Sequence, residues 1–208
     1  AVSLTMARDA GLRTPTWDLH TIEDAPVLVL ERFDRRGEVR RPYLSALSML
    51  NTVDHDTRSY AEIADALRRH GSSPEADLQA LWRRLVFNIL ISSTDDHLRN
   101  HGFLYDGIAG WRLAPVFDVN PVPLEARARV LSTPVWVDGD PTASLEIALE
   151  HAAHFRLDDE QARAVMSEVG DAVAEWRDVA ARHALTEREI RRMSSAFEHE
   201  DLERAVAI

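Results

Sequence analysis

Apolar residues along much of the chain recur at intervals of three and four residues, which is the spacing of an amphipathic helix. In the 158 to 182 segment they define one apolar face, expected to lie in the core, that consists of Ala162, Val165, Met166, Val169, Val173, Trp176 and Val179. The segment from Leu78 to Ser93 is apolar nearly throughout, and Pro74 suits the first turn of a helix there. The pattern predicts a mainly helical protein with one largely buried helix.

Three helix N-termini are predicted by capping boxes, in which Ser, Thr or Asp is followed three residues later by Glu or Gln. The pairs are Ser59 with Glu62, Asp158 with Gln161 and Thr186 with Glu189. The helix after Ser59 is expected to end near Gly71, because glycine is typical just beyond a helix C-terminus. A further helix, at the start of the chain, is expected to stop at Gly11.

Strand patterns are fewer and lie mostly near the start of the chain. Two strands are predicted at about 17 to 23 and 26 to 33, and a later hairpin where GFLYD and WRLAPVFD flank the turn from Gly107 to Gly110. Residues 125 to 144, which contain two prolines, are predicted to form a long connecting loop. The predicted fold class is therefore α+β, mainly helical.

Oxygen-bearing side chains between residues 94 and 120 have the spacing that phosphoryl transfer requires. In protein kinases one loop of the form H-R-D-x-x-x-x-N orients the attacking hydroxyl and supplies a metal ligand, and a later D-F-G segment supplies another. Asp95 and Asn100 reproduce the first interval, and the apolar run LAPVF is expected to deliver Asp118 from the end of a buried strand. Magnesium prefers such oxygen ligands. The segment therefore predicts a kinase-type site.

Two well-separated motifs give the chain a family resemblance. TDDHLRNHGFLYD with GWRLAPVFDVNP, preceded upstream by VLVLERFDRRG, resembles the C-terminal domain of HipA-like Ser/Thr kinases, the toxin halves of bacterial toxin–antitoxin pairs. The resemblance implies a protein-kinase-like C-terminal lobe with a small N-terminal strand and hinge portion. It also implies that Asp95 is the catalytic base and that Asn100 and Asp118 are the metal ligands.

Four further residues acquire expected roles from the same resemblance. Arg99 lies where such kinases often carry a basic residue that steadies the transferring phosphate. With His97 two residues after Asp95, the loop is also similar to the D-x-H-x-x-N loops of aminoglycoside and phosphoinositide kinases. A small-molecule kinase therefore stays open as an alternative. Glu31 and Phe33 are expected at the hinge between lobes, where backbone groups meet the adenine edge and an apolar side chain covers its face. The alternative interpretation of the same residues is a core strand that breaks into the charged turn at 34 to 37.

The cofactors and partners that the resemblance implies are those of a HipA-like toxin. ATP and Mg²⁺ are the expected cofactors, and the acceptor is expected to be a Ser or Thr hydroxyl of a protein, by family analogy an aminoacyl-tRNA synthetase. The expected biological outcome is growth arrest. A HipB-like DNA-binding antitoxin is the expected partner. Fold does not fix substrate, so these expectations rest on the analogy alone.

Features that normally hold the triphosphate are missing from the sequence. All 24 basic residues are arginine, and neither a G-x-G-x-x-G nor a G-x-x-x-x-G-K-[ST] segment occurs. We therefore expect the C-terminal part of a longer kinase, either an excised piece or a naturally split protein. Residues 1 to 43 would be the remnant of an N-terminal lobe with its hinge. Residues 44 to 208 would be the helical catalytic lobe, with the catalytic loop at 94 to 101.

Composition narrows the class of protein further. The net charge of −11 argues against direct nucleic-acid binding, which depends on clustered basic residues. There is no cysteine and no apolar stretch near the roughly 20 residues that a membrane span needs, so a soluble cytoplasmic protein is expected. Five arginines are clustered around a predicted hairpin and are interpreted as a solvated turn, although they could also hold ATP or contact an acidic partner. They are Arg32, Arg35, Arg36, Arg40 and Arg41.

Two alternatives from other classes stay open. A metal-dependent hydrolase could use His97 and His101, four residues apart, with the nearby aspartates and with His151 and His154. In that scheme Asn100 has no special function, and His151 and His154 are better explained by the face of an amphipathic helix. The other alternative is a catalytically silent kinase-like module that binds a partner or a nucleotide.

Overall fold

The computed structural model describes residues 1–54 and 56–208. Helices account for most of its regular structure, and the predicted α+β, mainly helical class is confirmed. The helices are α1 (Val2–Asp9), α2 (Ala46–Met49), α3 (Tyr60–His70), α4 (Pro74–Leu90), α5 (Leu145–Glu150), α6 (Asp159–Ala174), α7 (Trp176–Arg182), α8 (Glu187–Met193) and α9 (Glu200–Val206). The strands are β1 (Trp17–Ile22), β2 (Ala25–Leu30), β3 (Arg35–Arg36), β4 (Val39–Arg40), β5 (Tyr43–Ser45), β6 (Gly102–Tyr105) and β7 (Trp111–Leu113).

Helix α4 is the centre of the core. It contacts α3, α5, α6 and α9, and Trp82, Leu85 and Phe87 on it are fully buried. Burial on nearly all sides explains why its sequence is apolar around the helix rather than along one stripe. The prediction of a buried helix is confirmed, but the helix ends at Leu90, three residues before the predicted end. The chain then turns through Ser92, whose φ is 51°.

The three predicted capping boxes are present at α3, α6 and α8. In α3, for example, the Ser59 hydroxyl accepts from the Glu62 N–H while the Glu62 carboxylate accepts from the Ser59 N–H. Gly71 is the C-cap of α3, as predicted. These local signals were sufficient because each box satisfies backbone groups that the first turn of a helix leaves free.

The apolar face predicted between residues 158 and 182 faces the core, but two helices carry it. Glu175 has a ψ of 8° and separates α6 from α7. This break allows the Trp176 ring to stack on Phe197 at 4.5 Å between centroids. The predicted face residues are buried except Val165, which is half-buried. His151 and His154 do not lie on one amphipathic helix as predicted; they follow α5, and both rings contact Trp136.

Strands form two hairpins and one small sheet. β1 pairs antiparallel with β2, and β3 pairs with β4 in the arginine-rich hairpin. The second strand ends at Leu30, so the prediction that it runs to residue 33 is wrong. The Glu31 N–H still bonds to the Thr16 carbonyl at 2.8 Å, but Arg32 then pairs with Asp34 and the chain turns.

The small sheet has the order β5–β6–β7 and confirms the predicted hairpin around residues 107 to 110. Its last strand ends at Leu113, which corrects the prediction that Asp118 stands at a strand end. After Ala114, the N–H of Val116 bonds to the Arg13 carbonyl at 2.7 Å instead of to a strand. Asp118 therefore follows an extended segment that is anchored to the start of the chain.

The long loop predicted at 125 to 144 is present between the small sheet and α5. It runs back over the end of α4, where the Ser132 N–H bonds to the Thr94 carbonyl at 3.0 Å. The Arg129 guanidinium also donates to the Ile89 carbonyl at 3.0 Å. Within residues 1–54 and 56–208, no helix is both long and apolar enough to cross a membrane.

Candidate active site

The loop from residue 94 to 101 is held in a compact turn at the end of α4. Leu98–Asn100 form one 3₁₀ turn, in which the Asn100 N–H bonds to the His97 carbonyl at 2.8 Å. The Asn100 side-chain amide nitrogen donates to the Asp95 carbonyl at 3.1 Å. The interval of five residues therefore has a local structural cause, and the fold brings Asp95 and Asn100 together as the sequence predicted.

The Asp95 carboxylate lies at the surface of this loop, with 67% of its side chain exposed. Its one charged neighbour among the described residues is Arg127, whose Nη1 lies 3.4 Å from Oδ1. Arg127 comes from the long loop, and nothing in the sequence pattern indicated this contact. An exposed carboxylate with a single long contact is accessible to a reacting group.

Asp118 is positioned by residues that directly precede the loop at 94 to 101. Its φ of 54° lies in the left-handed region, which Asp and Asn tolerate better than most residues. The Asn120 side-chain amide donates to Asp118 Oδ1 at 2.8 Å, and the Asn120 N–H donates to Ser93 Oγ at 3.2 Å. The Val122 N–H bonds to the Ser92 carbonyl. These bonds place the Asp118 segment beside the root of the loop that carries Asp95 and Asn100.

An aromatic cleft adjoins this segment. The Phe33 ring lies 5.6 Å from the Phe117 ring and 6.2 Å from the Tyr43 ring. The cleft has a volume of about 390 Å³ and is lined by Pro15, Leu30, Glu31, Arg32, Phe33, Asp34, Tyr43 and Phe117. Glu31 and Phe33 were predicted together from the sequence, whereas Tyr43 and Phe117 were missed. Phe117 is the residue directly before Asp118, so the motif itself contained that signal.

Gly102 links the loop at 94 to 101 to Tyr43 of the aromatic cleft. It follows Asn100 by two residues and lies beneath the Tyr43 ring. A Cβ at this position would lie 2.4 Å from a Tyr43 ring carbon, so a larger residue would displace the ring. The end of the loop therefore packs directly against Tyr43 of the cleft, and Phe117 of the cleft is the residue before Asp118.

His97 and Arg99 point to a different part of the loop. The exposed Arg99 guanidinium forms an ion pair with Asp54. Both residues line a second cleft, of about 460 Å³, which also includes Ser132 and Thr133. Nδ1 of His97 is buried and has no hydrogen-bond partner among the described residues. The phosphate contact expected of Arg99 stays a prediction, and in the structure its guanidinium pairs with Asp54.

Beneath the loop lies a buried polar group that the sequence did not reveal. Asp96 is 2% exposed, and burial raises its pKa to about 8 even though hydrogen bonds to its carboxylate oppose the shift. Burial also raises the pKa of Tyr60 and lowers that of His101 to about 3. The nearby Arg84 is buried as well, and desolvation lowers its pKa to about 10. These shifts follow from the low polarizability of the interior, which disfavours charged forms.

The residues present fit a magnesium ion bound together with phosphates. With the Asn100 amide nitrogen engaged on Asp95, its Oδ1 is the atom suited to a metal, and Asp118 offers Oδ2 while Oδ1 accepts from Asn120. Magnesium commonly uses one or two protein oxygens and completes its shell with water and phosphate oxygens. The hydrolase set is not assembled: His101 lies in the interior against Tyr60, and His151 lies on Trp136.

The chain is similar to several known proteins. The family model described as the HipA-like C-terminal domain matches residues 1–176. Among curated relatives, "Putative kinase Y4mE" of Sinorhizobium fredii is 25% identical over 158 residues, which cover 71% of this chain and 35% of that protein. A "Putative kinase" of Haemophilus influenzae is 30% identical over 90 residues, which cover 42% of this chain and 26% of that protein. The chain thus spans about a third or less of the length of these relatives.

Two solved structures share the fold. HipA of Shewanella oneidensis, in a complex with HipB and its operator DNA, aligns with a TM-score of 0.75 at 17% identity, covering 99% of this chain and 53% of that one. The proinflammatory kinase CtkA of Helicobacter pylori aligns with a TM-score of 0.70 at 15% identity, covering 99% of this chain and 80% of that one. At these identities the likeness concerns the fold.

Proposed function

The chain belongs to the HipA-like C-terminal domain family, and on that premise we propose that it is the C-terminal catalytic part of a Ser/Thr protein kinase. The full-length protein transfers the γ-phosphate of ATP to a protein hydroxyl. The observation that carries the proposal is the contact between Phe33 and Phe117. It joins an aromatic cleft suited to a nucleobase to the segment that bears Asp118, and thereby to the loop that bears Asp95 and Asn100.

Each group has a defined role in this proposal. Backbone groups near Glu31 bind the adenine edge, and the Phe33 ring covers its face. Asn100 and Asp118 would hold the magnesium ion, which would neutralise charge on the phosphates. Asp95 orients the acceptor hydroxyl and accepts its proton, a role supported by the exposure of its carboxylate.

His97 and Arg99 organise the loop on the side of the second cleft. Once a phosphate is bound, the proposal has Arg99 exchange its exposed salt bridge with Asp54 for the transferring group. Such a surface pair costs little to break, about 0 to 1 kcal/mol, so a phosphate can compete for the guanidinium. The resemblance to toxins extends the proposal to an aminoacyl-tRNA synthetase as the acceptor and to growth arrest as the outcome.

The structural neighbour from Shewanella oneidensis is bound to HipB and DNA. We propose by analogy that a HipB-like antitoxin binds the full-length protein and supplies the contacts to DNA. A chain with a net charge of −11 is poorly suited to make such contacts alone. Copurification of the full-length protein with the product of a neighbouring gene tests this part separately from catalysis.

The decisive experiment uses the full-length protein and two isosteric variants. Asp118→Asn keeps the left-handed backbone, which Asn also tolerates, and should remove the Mg²⁺-dependent part of ATP affinity while leaving adenosine affinity unchanged. Asp95→Asn should retain ATP binding and lose transfer of labelled γ-phosphate to Ser or Thr. Asp171→Asn, an exposed carboxylate on α6, is the charge-matched control.

Each outcome bears on a separate part of the proposal. Unchanged Mg²⁺-dependent ATP affinity in Asp118→Asn would refute the metal ligand, and full autophosphorylation by Asp95→Asn would refute the base. ATP binding without transfer by the parent protein would favour a silent nucleotide-binding module. Transfer of phosphate to a small molecule rather than to a protein would favour a small-molecule kinase.

A further inference from the structure

Asp96 stands directly beside the proposed base and has no role in the transfer described above. Its carboxylate accepts three hydrogen bonds: from the Tyr60 hydroxyl at 2.8 Å, the Ser132 N–H at 3.0 Å and the Thr133 N–H at 3.3 Å. Its own carbonyl accepts from the Thr133 hydroxyl at 2.7 Å. A buried carboxyl group is costly unless such bonds satisfy it, and here three bonds hold it in one fixed orientation.

The side chains and amides that bond to the Asp96 carboxyl belong to two separate parts of the fold, α3 and the long loop. Tyr60 is the first residue of α3, and its oxygen also accepts from the Asn88 amide, near the end of α4, at 2.9 Å. Ser132 and Thr133 belong to the long loop. One carboxyl group therefore joins α3 directly to the long loop, and through Tyr60 it is linked to α4.

The backbone on either side of Asp96 is fixed by further bonds. The imidazole Nε2 of His101, at the other end of the catalytic loop, donates to the Asp96 carbonyl at 3.2 Å. The carbonyl of Asp95 accepts from the Asn100 amide. Because Asp96 is held inward at 2% exposure while the Asp95 side chain is 67% exposed, the two neighbouring carboxyl groups face opposite environments.

We propose that Asp96 is the positioning residue of the catalytic loop: by bridging Tyr60 and the long loop, it fixes the backbone that presents Asp95 to the acceptor hydroxyl. The proposal rests on the proposed kinase function for its catalytic consequence. It does not rest on that function for its structural consequence, which is the order of the loop. Asp96 does not touch the reacting atoms, so its loss alters geometry rather than chemistry.

The catalytic test compares Asp96→Asn, Tyr60→Phe and the double variant in the full-length protein. Displacing a catalytic group by about 1 Å can cost a hundredfold in rate, so kcat should fall roughly ten- to a hundredfold in Asp96→Asn. The dissociation constant of adenosine should change less than about twofold, because the aromatic cleft is untouched. The double variant should be no slower than the slower single variant, since both changes break one network.

A buried carboxyl group elsewhere provides the matched control. Asp201 is 7% exposed, accepts from the Leu145 N–H at 2.9 Å and pairs with Arg129 at 2.8 Å. Asp201→Asn should also destabilise the protein, but kcat measured well below the unfolding temperature should stay within about twofold of the parent value. An equal fall of kcat in both Asn variants would overturn the proposal, because it would show a general effect of lost stability.

Amide hydrogen exchange provides a measurement that is independent of catalysis. In Asp96→Asn the backbone N–H of Asn100, which bonds to the His97 carbonyl, should exchange at least tenfold faster. Backbone amides in the middle of α4 should be as well protected in Asp96→Asn as in Asp201→Asn. Unchanged exchange of the loop would overturn the positioning role even if kcat fell. If the parent protein transfers no phosphate, the proposed function fails, and the exchange data alone decide whether Asp96 orders the loop.

Discussion

The buried carboxyl of Asp96 gives the protein a specific dependence of stability on pH. Burial raises its pKa to about 8, and the hydrogen bonds from Tyr60, Thr133 and Ser132, which favour the carboxylate, only partly offset that effect. In the unfolded chain the same carboxyl titrates near about 3.9. Between these values the native protein keeps a proton that the unfolded chain has released. Raising the pH through this window therefore lowers the free energy of unfolding.

The magnitude follows from the two pKa values. One group contributes a slope of about 1.4 kcal/mol per pH unit while the pH lies well between them. Between about pH 5 and about pH 7.5 the free energy of unfolding should fall by about 3 kcal/mol, since the native carboxyl begins to ionise as its own pKa is approached. Asp96 is 2% exposed, so screening by solvent is small. Asp96→Asn removes the titration and keeps the size of the side chain.

His101 opposes this effect over part of the same range. Burial lowers its pKa to about 3, whereas the unfolded imidazole titrates near about 6.5. Its contribution is therefore complete above about pH 6.5 and is lost as the pH falls, because only the unfolded chain gains the proton. Burial lowers the pKa of His183 and His199 in the same direction. The same histidines are present in Asp96→Asn, so their contributions cancel when its free energy of unfolding is subtracted from that of the parent protein, and only the contribution of Asp96 remains.

The assay is urea unfolding of the protein and of Asp96→Asn at a series of pH values, followed by the fluorescence of buried tryptophans such as Trp82. From about pH 5 to about pH 7.5, the free energy of unfolding of Asp96→Asn should rise by about 3 kcal/mol relative to that of the parent protein. A difference that stays constant would refute the reasoning. It would mean that hydrogen bonds from Tyr60 and two backbone amides outweigh burial and that the native carboxyl is already ionised at the lower pH.

Three further changes test the aromatic cleft and the helix that supports the loop. Phe117→Ala removes one wall of the cleft and should weaken adenosine binding about three- to tenfold in calorimetric titration, given about 0.5 to 1.5 kcal/mol for an aromatic contact. Gly102→Ala places a Cβ 2.4 Å from the Tyr43 ring and should cost about 1 to 3 kcal/mol of stability in urea unfolding; an unchanged midpoint would contradict this close approach. Ser59→Ala removes the cap of α3 and should cost about 1 kcal/mol in the same assay.

Local signals in the sequence predicted the elements of the fold well. The capping boxes at Ser59 and Thr186 and the apolar segment of α4 depend on neighbouring residues, and all were confirmed. The break at Glu175 and the short strand β5 were not predicted, because each depends on packing against distant residues. β5 exists through its antiparallel pairing with β6, in which Tyr43 lies opposite Leu104. Three residues are too few to show a periodicity, so the sequence of β5 does not predict its pairing with β6.

The candidate site shows the same division. Asp95 and Asn100 could be grouped from sequence because one tight turn holds both, and Glu31 with Phe33 because they are neighbours. The Tyr60–Asp96 bond joins residues 36 positions apart, and the contact of Phe33 with Phe117 also depends on the folded chain. The family pattern supplied the proposed role of Asp118, but only the structure describes the bond from Asn120 to its carboxylate.

Two adjacent aspartates in the catalytic loop illustrate why the folded environment is needed to assign roles. Their side chains have the same chemistry, and in the sequence only the interval to Asn100 distinguishes them. In the structure Asp96 is buried, with its carboxyl bonded to Tyr60 of α3 and to the long loop, so it cannot meet a protein substrate, whereas Asp95 is exposed. This contrast supports Asp95 as the proposed base. If Asp95→Asn and Asp96→Asn both abolished transfer, loop exchange would separate them, because only the change at Asp96 should loosen the loop.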